Sequence, residues 1–118
     1  MPIVDIECVQ REGESLPEGL ARTLADALGE VLGSEPGRLW VRLRELPEAH
    51  YAENLSAAPR PVFVKILFGE PPTGDLLRLQ MRQVCEAVAR ACRCPVDRVH
   101  VLVEPAASGR IAFGGELR

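Results

Sequence analysis

The sequence carries no excess of positive charge, no long apolar run and no leader pattern at its amino terminus. Its formal net charge of −3 leaves no basic footprint for a phosphate backbone, which argues against nucleic acid as a partner. No apolar run approaches the ~20 residues that cross a bilayer, so no membrane partner is expected. The first residues lack the charged and apolar regions of a secretory signal, and the expected location is cytoplasmic. Cysteine is sparse: Cys8, Cys85, Cys92 and Cys94. "CRC" at 92–94 has no second ligand pair at metal-binding spacing, so no metal site is expected. A cytosolic chain also has little use for structural disulfides. Cys85 and Cys92 fall on the apolar side of a predicted helix, where a free thiol acts as a small hydrophobe.

What is present is an ordinary globular composition, 47% hydrophobic and 26% charged over 118 residues. That length predicts one domain, 1–118, with room for a real core. Period and punctuation repeat along it. "PIVDIECV" at 2–9 reads as a strand. Leu20, Leu24, Leu28 and Val31 follow at helical spacing, with Ser15 and Glu18 as a capping box and Gly33 as the stop. "RLWVRLREL" at 38–46 is a second strand. After the loop "PEAHYAENLSAAPR" the order recurs: "PVFVKILF" at 61–68, then a helix opened by Thr73 and carrying Leu77, Met81, Val84 and Val88, then "RVHVLVE" at 98–104.

The two halves superimpose: Pro2 falls on Pro61, Pro36 on Pro95 and Arg38 on Arg98. Each is a βαβ unit, at about 2–47 and 61–105, and two such units side by side make a four-stranded sheet with both helices on one face. The fold class is therefore α+β (α/β), a two-layer sandwich. In the second strands Val41 and Leu43 alternate with Trp40, Arg42 and Arg44, and Val99, Val101 and Val103 alternate with His100, Leu102 and Glu104. One face packs on the helices. The other holds Trp40 and Leu102 with nothing in the chain to cover it, which predicts burial against other subunits.

Three stretches resemble the tautomerase superfamily, whose members are built from βαβ units and begin with a catalytic proline. "MPIVDIECV" looks like the start of that superfamily. "LPEGLARTLADALGEVLGSEPGRLWV" is similar to its macrophage migration inhibitory factor-like members, and "PVDRVHVLVEPAASGRIAFGGELR" to the end of its 4-oxalocrotonate tautomerase-like ones. The resemblance implies two fused short units in one chain, a homotrimer, and a C-terminal hairpin that packs on a neighbouring subunit.

It also implies a chemistry. Proline at position 2 suits the first residue of a strand, because it has no N–H to donate to the ladder. With Met1 removed it is also a secondary amine. An α-amino group ordinarily titrates at about 7.7–8, and burial in an apolar pocket beside a cation favours its neutral, basic form. A base poised near working pH moves protons efficiently. The resemblance makes Pro2 the general base of an enol–keto tautomerase acting on a small carboxylate, a 2-hydroxydienoate or 2-oxo acid, without cofactor. Pro61 is an amide and cannot share that role.

Cations would hold the substrate carboxylate. Arg11 lies within one residue of the family's first Arg. Trp40 and His100 stand where the short enzymes have their second, and Arg42 could supply charge instead or join an ion pair, with Glu104 as the partner considered. His100 also falls where cytokine-like members have a pocket Tyr, and Arg38 where they have a Tyr at the rim. Ser34 replaces their pocket Lys. Arg110, Ile111 and Phe113 occupy the hairpin that supplies apolar pocket wall. His50 and Tyr51 match no role. Two alternatives stay open: a hydratase-type dehalogenase or decarboxylase of the same superfamily, and a non-catalytic trimeric binding protein of this fold.

Overall fold

The computed structural model describes residues 2–118. Strand β1 (Ile3–Gln10) is followed by helix α1 (Leu20–Val31) and strand β2 (Trp40–Pro47). Strand β3 (Val62–Leu67), helix α2 (Gly74–Cys92) and strand β4 (Val99–Val103) repeat that order. A short hairpin, β5 (Ala112–Phe113) and β6 (Glu116–Leu117), ends the chain. The main sheet runs β2-β1-β3-β4. Its outer pairs are parallel and its central pair, β1 with β3, is antiparallel. The two units therefore run in opposite directions across the centre of the sheet. Pro2 and Pro61 consequently stand at opposite ends of the sheet.

Alternation along each strand decides the layers. Val4, Ile6 and Cys8 of β1 and Val62, Val64 and Ile66 of β3 turn toward the helices and are buried. They meet Leu20, Leu24 and Leu28 of α1 and Val84 and Val88 of α2 in one core. Each fully buried aliphatic side chain contributes about 1.5–3 kcal/mol over leaving it in water. Ile3, Asp5 and Glu7 of β1 point the other way, as do Trp40, Arg42, Phe63, Lys65, His100 and Leu102. Leu102 is 56% exposed and Trp40 43% exposed on that uncovered face.

The expected capping box is not formed. The helix starts later, and its N-cap is Gly19 in a left-handed conformation (φ 81°), without a side-chain cap bond. The Pro17 carbonyl accepts the Leu20 N–H at 3.3 Å, so Pro17–Leu20 is a turn and leaves Ser15 and Glu18 outside the first helical turn. Thr73 does occupy the N-cap of α2, but its hydroxyl makes no cap bond.

Candidate active site

Pro2 is buried directly before β1. Its carbonyl accepts the Trp40 N–H at 3.1 Å, which ties it to the start of β2. Antiparallel pairing sets Ile3 against Leu67 and so brings the end of β3 to the same edge. The turn after α1 closes the third side. These segments frame a cleft of about 540 Å³ lined by Pro2, Leu32, Ser34, Phe68 and the charged groups Glu35, Arg38 and Glu70. Leu32 and Phe68 give it apolar wall. Arg38 is its cation.

The other residues singled out from the sequence divide between two ends of the sheet. Trp40 is at the Pro2 end; its indole N–H donates to the Gly37 carbonyl at 3.0 Å. Phe113 meets it edge-on, with ring centroids 5.5 Å apart. The hairpin thus docks on β2 of its own chain. Arg110 and Ile111 lead into that hairpin, held through backbone bonds to Ala107 and Arg118 at 2.8 Å each, and neither lines the cleft. Arg42 lies one alternation further along β2 and is spent on Asp5 rather than on Glu104, through bonds of 2.6 and 2.8 Å. That guanidinium holds the Asp5 carboxyl below its ordinary range.

Arg11 and His100 lie at the far end. Arg11 follows β1 and is exposed, 3.8 Å from Glu14. His100 pairs with Phe63 across the β3–β4 ladder, rings 5.6 Å apart. Phe68, just past β3, lies five steps along the chain from Phe63, about 17 Å at 3.3 Å per residue. Within one chain neither Arg11 nor His100 reaches Pro2.

Sequence reasoning overlooked Glu35, Phe68 and Glu70 as cleft residues. Phe68 and Glu70 belong to the second repeat, and only the antiparallel β1–β3 pairing carries them to Pro2. It also left Tyr51 without a role. The Tyr51 hydroxyl donates to Glu53 at 2.6 Å, and the Arg98 guanidinium pairs with the same carboxylate. The loop between the units is anchored in this way at the start of β4.

No protein-family model and no curated protein matches the sequence. Solved structures do match. One is a fused 4-OT wild-type symmetric trimer, at 14% identity over 98% of this chain and 94% of that one, with a TM-score of 0.76. A second is Pt0534 inactivated by 2-oxo-3-pentynoate, at 20% identity over 98% and 94%, TM-score 0.74. A third is macrophage migration inhibitory factor from Oncomelania hupensis, at 15% identity over 98% and 96%, TM-score 0.76. The chain has the tautomerase fold.

Proposed function

We propose that this chain is a cofactor-independent tautomerase of the superfamily whose fold it shares, with the secondary amine of Pro2 as its base. The reading requires removal of Met1, which lies outside the described residues. The observation that carries it is the burial of Pro2 at the wall of a cleft that also holds Arg38. Desolvation there favours the neutral amine. That amine takes the hydroxyl proton of a 2-hydroxydienoate and returns a proton to a carbon of the conjugated chain, leaving the 2-oxo acid. Arg38 pairs with the substrate carboxylate and Leu32 and Phe68 flank the hydrocarbon. Inactivation of a structural neighbour by an acetylenic 2-oxo acid supports this substrate class.

A homotrimer belongs to the same reading. A neighbour of this fold is a trimer, and this chain leaves one sheet face and the outer edges of β2 and β4 uncovered. Subunits packed end to end would bring Arg11 and His100 of one chain toward Pro2 of the next. Arg11 would then add a cation to a cleft in which Glu35 and Glu70 outnumber Arg38.

Glu70 favours a second reading. A hydratase-type reaction needs a protonated Pro and a carboxylate to activate water, and Glu70 shares the cleft with Pro2. Mass measurement of the N-terminus, followed by assay with phenylenolpyruvate, 2-hydroxymuconate and a haloacrylate, separates the readings. The tautomerase reading expects loss of Met1, turnover of an enol and a fall of at least ~10²-fold with Pro2→Ala, the usual scale of a lost general base. Retained Met1, or turnover indifferent to Pro2→Ala, overturns it.

A further inference from the structure

The duplication gives the Pro2 cleft a counterpart. At the opposite end of the sheet a larger cavity, about 840 Å³, opens beside Pro61. Corresponding positions line the two. Leu32, Gly33 and Ser34 border the first, and Cys92, Arg93 and Cys94 border the second. Even the backbone matches, since Gly33 and Arg93 are both left-handed, at φ 64° and 55°. Pro61 is an amide, so the second cavity has no counterpart of the Pro2 amine. It has thiols instead: Cys8, from the helix-facing side of β1, lines it together with Cys92 and Cys94.

We propose that Cys8 and Cys92 form a peroxide-reactive dithiol that closes to a disulfide across this cavity. Both side chains belong to the wall between β1 and the end of α2, packed with the core. Cys8 and Cys92 share this cavity wall, and the pairing eases ionisation of Cys8 while it resists that of Cys92. Cys94 opposes ionisation of Cys8, and burial together with Cys92 pushes the Cys94 thiol up. Its backbone N–H turns back to the Ala89 carbonyl at 3.0 Å, in the bend made at Arg93. Cys85 is not in the cavity; its thiol faces the Val99 carbonyl at 3.8 Å.

The thiolate is the reacting form. A sulfur anion of the pair attacks one oxygen of hydrogen peroxide, the O–O bond breaks, and a sulfenic acid and water result. The neighbouring thiol sulfur then displaces the sulfenic oxygen, which leaves with a proton as a second water, and the S–S bond forms. Two thiols lose two hydrogens and one peroxide becomes two waters. The cavity gives the small oxidant a path to Cys8, which is otherwise 3% exposed. The site is independent of Pro2 chemistry, and its test reads thiols rather than turnover.

Trypsin separates all four cysteines into different peptides: Cys8 lies before Arg11, Cys85 in 83–90, Cys92 in 91–93 and Cys94 in 94–98. The folded protein is treated with hydrogen peroxide, alkylated and digested without reduction. The expected result is a fall from four free thiols to two, and a cross-link joining the peptide that ends at Arg11 to peptide 91–93. Cys85 and Cys94 stay alkylatable, and thermal unfolding shifts upward by several degrees in the oxidised form. Cys92→Ala abolishes both the cross-link and the shift, whereas Cys85→Ala keeps them. Four free thiols after treatment, a Cys92–Cys94 or intermolecular bond, or over-oxidation of a single cysteine overturns the proposal. Because the wild-type map decides the outcome, a poorly folding variant does not protect the idea.

Discussion

Glu53 shows how one side chain can fix a loop that composition leaves featureless. The Tyr51 hydroxyl and the Arg98 guanidinium both donate to its carboxylate, and both hold its acidity stronger than that of an ordinary glutamate. The same bond to Glu53 raises Tyr51. A carboxyl that is a stronger acid in the folded chain than in the unfolded one stabilises the fold above the ordinary glutamate range. That contribution is lost as pH falls through the folded value. Glu53→Gln is therefore expected to unfold at lower urea than the parent at neutral pH, with the gap closing in acid as the parent carboxyl protonates. Urea midpoints measured across that range check this, and a gap indifferent to pH refutes it. Arg98 adds to the stake, because its Nε is buried with no hydrogen-bond partner among the described residues.

At the scale of elements, the two βαβ units were legible because apolar period and the shared Pro and Arg positions state them twice. Strand identities and the helix-facing side chains follow from that, whereas the terminal hairpin was implied by the family resemblance alone. Helix ends were less legible. Ser15 and Glu18 have the capping spacing, yet Pro17 and Gly19 set a turn that moves the start of α1 past them. The cleft was legible only in its first-repeat half: Pro2 and Arg38 could be singled out by position. Phe68 and Glu70 could not, since no local pattern states that β1 and β3 pair antiparallel. The same gap hid the union of Trp40 with Phe113, which are 73 residues apart in sequence. Gly19 supplies a test of the revised start. Alanine is the better helix former, but at φ 81° an L side chain costs about 1–2 kcal/mol. Gly19→Ala should lower stability by that amount in chemical denaturation. Equal or greater stability would mean that α1 begins elsewhere.

The whole molecule is a half-covered sheet whose two ends carry complementary parts. Pro2, Arg38 and Trp40 stand at one end, Arg11 and His100 at the other. The face between them exposes Trp40 and Leu102, and Arg42 with Asp5 forms a neutralised pair on it. Both outer strands leave unpaired backbone groups, a surface that soluble proteins ordinarily cover. On the trimeric reading proposed above, packing this face against neighbours would remove the exposed apolar area and set the end of one sheet beside the end of the next, so assembly and activity should fail as one. Leu102 is the place to break it: on β4 it points away from the core and is not in the Pro2 cleft, so Leu102→Glu leaves the fold and the cleft of each chain intact. Light scattering on the parent should give three times the chain mass, and on Leu102→Glu the single-chain mass with unchanged far-ultraviolet circular dichroism. Enol turnover should fall with the trimer, because Arg11 and His100 are then withdrawn from Pro2. A parent protein that is monomeric at micromolar concentration refutes the assembly. A monomeric Leu102→Glu with full turnover refutes only the contribution of the neighbour, and leaves Pro2 and Arg38 to act within one chain.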